Sequence, residues 1–147
     1  ITKVPKSPEY MKGVINLRGM VLPVVDTRIK FGMPETEYTD KTCIVVMDLE
    51  LDGDLVHVGT LVDQVVAVLE IDEKQIEDPP GIGSTYQSEF ISGVARVDDH
   101  FIMILDMVNI FSTREITSLR EKTNEVVAKD VNTEIENSIL LFKIRYF

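Results

Sequence analysis

The sequence predicts an all-β protein made of two related sub-structures. Residues 9–31 (EYMKGVINLRGMVLPVVDTRIKF) recur at an offset of 80 as residues 89–111 (EFISGVARVDDHFIMILDMVNIF). Short runs rich in β-branched residues also alternate with turn signals along the chain. Short strands at this spacing are typical of barrels or sandwiches and not of a βαβ sheet.

The repeat contains landmarks that chance does not readily reproduce. Apolar residues agree throughout, which any two β-rich segments can show by accident. Glycine and aspartate also recur with the same spacing, and this indicates two related hairpin units. The identical positions are Glu9/Glu89, Gly13/Gly93, Val14/Val94, Asp26/Asp106 and Phe31/Phe111.

Each copy of the repeat predicts a β-hairpin. Two β-rich runs flank the turn Arg18-Gly19 in the first copy and the turn Asp98-Asp99 in the second. Asp26 and Asp106 follow the second strand of each copy, where a carboxylate can accept hydrogen bonds from the next segment's backbone. We therefore expect both to be structural caps and not catalytic groups.

The segment between the copies predicts three further strands. They lie at 42–49, 55–62 and 65–71, and Asp52-Gly53 is a strong hairpin signal between the first two. Residues 72–80 begin like a short helical turn, which the two prolines at its end would stop.

The sequence periodicity changes after the second copy. Ser112-Thr-Arg-Glu115 fits a capping box, and Ile116, Leu119 and Thr123 fall on one helical stripe. A helix near 113–129 is therefore predicted, followed by a polar linker.

The last segment predicts a displaced strand. Its residues Ser138–Ile144 (SILLFKI) resemble Cys43–Leu49 (CIVVMDL). The predicted organisation is an incomplete first barrel, a second barrel, a helix with its linker, and this strand. Their bounds are 1–41, 42–112, 113–137 and 138–147.

Composition excludes several classes of protein. The chain has 147 residues, a net charge of −10 and one cysteine, so no internal disulfide staples it. A pI of 4.6 argues against a nucleic-acid partner. No apolar run approaches the ~20 residues of a membrane span, and no signal peptide is recognisable. We therefore expect a soluble, cytoplasmic domain without direct membrane insertion.

The charge is unevenly distributed along the chain. Residues 1–31 carry six bases and two acids, a net of +4, whereas the remaining residues sum to −14. Such asymmetry bears on association surfaces and not on fold.

Arg18 is the leading candidate for a binding residue. The two hairpins share one frame, yet the first presents Arg18-Gly19 where the second presents Asp98-Asp99. An exposed guanidinium beside apolar strands suits a protein contact, since it binds carboxylates and packs on apolar groups. The alternative is an internal salt bridge that steadies the hairpin. Gly13 is expected to supply a permissive backbone at the hairpin entry.

Asp63, which follows Val62, is a second candidate for protein binding. The alternative is that this aspartate ends or caps a strand, which is the commoner role of such a residue.

Signals of catalysis are weak. His57 and His100 have no regular spacing to a metal partner, and Cys43 lies in an apolar run typical of a core thiol. Two aspartates beside His100 are explained by turn chemistry. The sequence therefore predicts no catalytic, cofactor or metal site.

Several motifs extend from the start of the chain to the end of the repeat, of which GVINLRG at 13–19 is the most specific. The others are Pro8-x-Tyr10-x-Lys12, Leu22-Pro-Val-Val-Asp26-x-Arg28, Val58-Gly-x-Leu-Val-Asp63, and Phe90-Ile-x-Gly93 through Ile104-Leu-Asp106. Over residues 1–119, these motifs resemble the CheW family of bacterial chemotaxis adaptors.

The resemblance implies two SH3-like, five-stranded β-barrels and a non-catalytic scaffold. It implies that the scaffold couples the cytoplasmic tips of chemoreceptors to the regulatory domain of the histidine kinase CheA, at receptor arrays beneath the inner membrane. Arg18 is implied in that coupling, and the kinase contact is placed near Gly13, Asn16 and Leu17. The receptor tip would bind as a helix in an apolar groove.

The sequence departs from the family pattern at its ends. Family members begin with a strand like 139–144, which here stands at the C-terminus. Our hypothesis is that residues 138–147 complete the first barrel, in cis or by strand exchange with a neighbouring chain. Two alternatives remain open: a CheW-like module of a larger protein (CheV-like, or the regulatory end of CheA), and a small-molecule-binding barrel.

Overall fold

The protein is mostly β-sheet, and its described residues include three helices and one 3-10 turn. A computed structural model describes residues 1–78, 90–111, 113–127 and 140–145. The elements are β1 (Met11–Leu17), β2 (Met20–Asp26), α1 (Thr27–Lys30), β3 (Cys43–Leu51), β4 (Asp54–Val62), a 3-10 turn (Glu73–Gln75), β5 (Ile76–Glu77), β6 (Ile91–Val97), β7 (His100–Leu105), α2 (Met107–Ile110), α3 (Thr113–Val127) and β8 (Leu140–Arg145).

These elements form two compact units. The first unit comprises Ile1–Val65 and Thr113–Phe147, and the second comprises Val66–Ser112. The first contains a five-stranded sheet in the order β1-β2-β4-β3-β8, and the second contains a three-stranded sheet in the order β5-β6-β7. The predicted all-β class with two β units is confirmed.

The sheet of the first unit combines two hairpins and one added strand. β1 pairs antiparallel with β2, and β3 pairs antiparallel with β4. β2 and β4 run parallel and join the hairpins, while β8 runs parallel to β3. The apolar run at the start of β3 is buried residue after residue, which is typical of a strand covered on both faces.

An apolar cluster connects the two hairpins of this sheet. Side chains from both hairpins contribute to it, so the burial of apolar surface couples β1 and β2 to β3 and β4. Its buried members are Ile15, Leu22, Val24, Ile44, Val46 and Leu61.

The structure confirms the internal repeat in detail. The pairing of β1 with β2 is irregular between Met11 and Gly13, and the pairing of β6 with β7 is irregular between Ile91 and Gly93. The backbone N–H groups of Asp26 and Asp106 each donate to the carbonyl sixteen residues earlier, that of Tyr10 and that of Phe90, and both distances are 2.8 Å. Equivalent geometry at an offset of 80 indicates one hairpin design used twice.

The two repeated aspartates are helix caps, as predicted. A side-chain oxygen of Asp26 accepts hydrogen bonds from the N–H groups of Arg28 and Ile29 at the start of α1. Asp106 accepts from the N–H of Asn109 at the start of α2. Each carboxylate therefore ends a strand and begins a helical turn.

The strands β3 and β4 do not belong to the unit in which they were expected, since the predicted boundary between the two barrels was at residue 41. Both strands were expected in the second barrel, but they pair within the sheet of the first unit. The physical reason is the shared core, because the apolar faces of β3 and β4 bury the side chains of Leu22 and Val24 on β2. The β-rich stretch between the repeats therefore completes the first hairpin's sheet.

The prediction of a strand at 65–71 is wrong. Residues 64–72 have no regular secondary structure, and the side chains of Val66 and Val68 are 84% and 78% exposed. The apolar pattern there is strand-like, but a strand also needs a hydrogen-bonded neighbour. The predicted helical turn after it is confirmed at Glu73–Gln75, and the two prolines expected to end it lie outside the described residues.

The predicted helix is confirmed as α3. Ile116, Leu119, Thr123 and Val126 are buried on one stripe, and α3 packs against β1 and β2. The expected capping residue Ser112 and the polar linker before β8 lie outside the described residues. None of the helices in the described ranges is both long enough and apolar enough to cross a membrane.

Candidate contact hairpin

The β1–β2 hairpin ends in a tight turn at Arg18 and Gly19. Both residues have positive φ, 51° and 86°, as a two-residue hairpin turn of type I′ requires. Leu17 pairs with Met20 across the turn. The Asn16 side-chain oxygen accepts a hydrogen bond of 2.9 Å from the N–H of Gly19. The neighbouring residues therefore fix the backbone that presents Arg18.

Arg18 itself is exposed, while the two residues that flank the turn are anchored. Leu17 and Met20 are partly buried and pack against the core cluster. Among the described residues, no hydrogen bond or ion pair involves the Arg18 side chain. The internal salt bridge considered as an alternative role for Arg18 is therefore not found in this part of the chain.

Gly13 shapes the base of the hairpin. Its φ is 146°, and a Cβ atom built on it would lie 2.1 Å from the carbonyl oxygen of Thr2. Thr2 and Val14 exchange two backbone hydrogen bonds, of 2.8 and 3.0 Å, directly beside it. Gly13 thus allows the N-terminal segment to lie against β1, and it is buried and not on the exposed tip.

Val62 and Asp63 lie at the opposite end of the sheet from Arg18. β2 and β4 run parallel, with Asp26 opposite Leu61, so the end of β4 lies beside the end of β2. Arg18 precedes the start of β2, and the length of β2 separates it from this end of the sheet. The seven residues of β2 span about 20 Å at the usual rise of a strand. The structure therefore separates the predicted site residues into two groups.

Asp63 has an internal partner. Its two carboxylate oxygens accept hydrogen bonds from Nε of Arg28 at 2.9 and 3.1 Å, and its side chain is 59% exposed. This ion pair connects the end of β4 to α1. The oxygens of Asp63 remain accessible to solvent despite the contact.

The basic character of residues 1–31 is largely compensated within the first unit. Lys12 pairs with Glu35, Arg28 with Asp63, and Lys30 with Glu115. Half of the six bases in this segment thus lie beside acids from the rest of the chain. Arg18, at the hairpin tip, is not one of those three.

Tyr10, Lys30 and Glu115 form a cluster that no sequence motif predicts. Lys30 lies 4.7 Å from the centre of the Tyr10 ring and forms an ion pair with Glu115. Burial, together with the charge and hydrogen bond of Glu115, raises the pKa of the Tyr10 hydroxyl. Because 85 residues separate Lys30 from Glu115, local sequence patterns carry no signal of this contact.

The two histidines and the cysteine do not converge. His57 Nδ1 lies 2.5 Å from Oδ1 of the buried Asp48, its cross-strand neighbour. Cys43 is buried in β3, and Asp98 and Asp99 both have positive φ in the β6–β7 turn. Over the described ranges, no three metal-binding side chains of the His, Cys, Asp or Glu type come together.

Two related β units and an exposed, rigidly held hairpin tip define a β-sheet scaffold that works through its surface. Comparison with known proteins identifies the family. The CheW-like domain profile matches residues 1–115, and the chain belongs to the CheW-like domain family. The resemblance found from the motifs is confirmed.

Individual relatives agree with this assignment. The chain is 37% identical over 117 residues to the chemotaxis protein CheW of Thermotoga maritima, covering 80% of this chain and 72% of the relative. The chain is also 34% identical over 114 residues to the chemotaxis protein CheW of Rhizobium meliloti, covering 78% of this chain and 71% of that relative.

A solved structure is also similar. The scaffolding protein TtCheW from Thermoanaerobacter tengcongensis matches with a TM-score of 0.66 and 36% identity, over 78% of this chain and 75% of that one. The predicted fold class and the predicted function as a chemotaxis scaffold are thereby confirmed.

Proposed function

We propose that this chain is a non-catalytic adaptor that couples chemoreceptors to the histidine kinase CheA. Membership in the CheW-like domain family supports a role in chemotaxis signalling. The single observation that supports the proposed contact residue is the exposure of Arg18 without an internal ion-pair partner. Arg18 is exposed at a rigid tip, and no described residue neutralises it.

The hairpin residues have different parts in this proposal. Arg18 makes the contact, because a guanidinium can bind a partner's carboxylate through two parallel hydrogen bonds. Asn16 and Gly19 hold the turn, Leu17 anchors it to the core, and Gly13 sets the base of the hairpin. Preorganisation of this kind reduces the entropy lost when the partner binds.

Val62 and Asp63 belong to a second proposed contact. Their distance from Arg18 means that one small partner surface does not cover both groups. A scaffold that holds a receptor and a kinase together needs two separated surfaces, and simultaneous binding raises the partners' effective concentration. We assign the hairpin tip and the end of β4 to these two surfaces. The adaptor would act in the cytoplasm, at receptor arrays beneath the inner membrane.

Binding of both partners tests the proposal. The full chain is mixed with a chemoreceptor cytoplasmic fragment and CheA, and complexes are separated by size-exclusion chromatography. We expect one peak that contains all three proteins, and no ternary peak when the chain is omitted. Folded chain that binds neither partner would overturn the adaptor function and favour the small-molecule-binding barrel.

A further inference from the structure

The first half of β3 is an uncharged, buried apolar run. Residues 43–47 carry no charged side chain, and their exposed fractions range from 0% to 8%. β4 satisfies one edge of β3 and β8 satisfies the other. Without β8, a row of backbone N–H and C=O groups beside an uncharged apolar run would face solvent, which is a strong template for strand addition.

The pairing of β8 with β3 is regular and parallel. Six consecutive pairs are formed, from Cys43 opposite Leu140 to Asp48 opposite Arg145. β8 also resembles β3 in sequence, as an apolar segment with a single charged residue between Leu140 and Ile144. The β3 edge therefore selects a short apolar strand in one register.

We infer that the β3 edge is a strand-docking site that also accepts β8 from a second copy of this chain, which produces a strand-exchanged dimer. This inference goes beyond the proposed function and does not depend on it. The donor strand is joined to α3 by residues 128–139, and twelve residues can extend over about 40 Å. The same six pairs then form between two chains, because an exchanged element repeats the contacts it makes within one chain.

Protein concentration and salt decide whether β8 pairs with β3 of its own chain or with β3 of a second chain. A strand tethered to its own chain meets the β3 edge at a higher effective concentration than a strand from a second chain does in dilute solution. Pairing within one chain therefore dominates in dilute solution, and exchange is favoured when the chain refolds at high concentration. A net charge of −10 on each copy opposes dimerisation, so added salt should increase the exchanged fraction.

A disulfide between two different full-length chains tests the inference. Cys43 is the chain's only cysteine, and position 140 is its register partner, within the Cα separation that a disulfide spans. One chain is wild type and carries an affinity tag that changes its size. The other carries Cys43→Ala with Leu140→Cys. The two are refolded together at high concentration and oxidised.

We expect a mixed disulfide dimer whose yield rises with protein concentration. The control replaces Leu140→Cys by Ile144→Cys, which lies opposite Met47 and four residues along the strand from Cys43. It should give little mixed dimer. A third sample, Leu140→Cys with Cys43 retained, reports pairing within one chain at low concentration.

Two results would overturn the inference. One is intramolecular cross-linking of the third sample with no mixed dimer at any concentration, which would restrict the site to its own strand. The other is equal mixed-dimer yield from positions 140 and 144, which would contradict a site with one register. Neither readout involves a receptor or kinase, so failure here is distinguishable from failure of the adaptor function.

Discussion

Lys30 of α1 and Glu115 in the first turn of α3 form an ion pair across 85 residues of sequence. Their side chains are only 11% and 28% exposed, and the Lys30 ammonium also lies over the Tyr10 ring. This cluster attaches the start of α3 to the β1–β2 hairpin. The contact lies at the base of that hairpin, where β1 begins and β2 ends.

Glu115→Gln should destabilise the first unit. The substitution removes the charge that Lys30 faces in a partly buried site, where such a loss costs about 1–3 kcal/mol. Urea denaturation followed by far-UV circular dichroism measures the change in free energy of unfolding. Lys122→Ala is the matched control, because its pair with Glu125 is longer, at 3.8 Å, involves a carboxylate that is 56% exposed, and should contribute about 0.5 kcal/mol or less. Equal effects of the two substitutions would contradict a structural role for the cluster.

The Tyr10 hydroxyl should titrate above its ordinary pKa of 10.0. Burial is the first cause of the raised pKa, followed by the negative charge and hydrogen bond of Glu115. The absorbance of phenolate at 295 nm, taken as wild type minus Tyr10→Phe, isolates this residue among the four tyrosines. Glu115→Gln should lower the midpoint without returning it fully to 10.0, since burial persists.

The same shift has a consequence for stability at alkaline pH. A pKa that is higher in the folded state than in the unfolded state stabilises the protein below the unfolded value, and this stabilisation is lost as pH rises through the folded value. The pKa of Lys12 is also raised, by its hydrogen bond to Glu35, so its contribution to stability is likewise lost as pH rises. The urea midpoint should therefore fall above pH 10, and less steeply in Tyr10→Phe. An unchanged slope in that variant would exclude Tyr10 as a contributor.

Gly13→Ala should be far more damaging than Gly19→Ala. Both positions have positive φ, but only at Gly13 would the new methyl group meet backbone, 2.1 Å from the oxygen of Thr2. We expect a loss of about 3 kcal/mol or more for Gly13→Ala, because the strand pair must move apart, and about 1 kcal/mol for Gly19→Ala. Thermal unfolding of both variants gives the comparison. Similar melting temperatures would show that the N-terminal segment does not lie against β1.

Arg18→Asn should leave stability unchanged or slightly higher. Arg18 adopts a left-handed backbone, with φ of 51°, and asparagine accepts this conformation more readily than arginine. No hydrogen bond or ion pair to a described residue is lost. A fall in unfolding free energy of more than about 1 kcal/mol would reveal an internal role for the guanidinium.

Local patterns predicted most of the fold. The hairpins, the repeated aspartate caps and α3 follow from turn chemistry, hydrophobic period and repeat spacing, all of which operate over a few residues. The assignment of β3 and β4 to the second barrel failed for a different reason. Which hairpin a strand joins depends on long-range core packing between residues such as Leu22 and Ile44, and the pattern of neither segment specifies it.

The candidate site was predictable only in part. Arg18 was found because the repeat supplied an internal comparison, and its turn geometry followed from the glycine beside it. The partners of Arg28 and Lys30 lie 35 and 85 residues away, so the sequence did not reveal that these bases are neutralised. The separation of Asp63 from Arg18 likewise depends on the parallel pairing of β2 with β4.

Receptor control of CheA autophosphorylation is the measurement that tests the adaptor function most directly. Arg18→Asp reverses the charge at the tip, and Asp98→Asn, which changes the charge at the equivalent turn of the second hairpin, is the control. With both variants folded by circular dichroism, we predict that Arg18→Asp abolishes the receptor-dependent change in kinase activity and that Asp98→Asn preserves it. Full receptor control with the Arg18→Asp variant would contradict the assignment of the hairpin tip as a coupling surface.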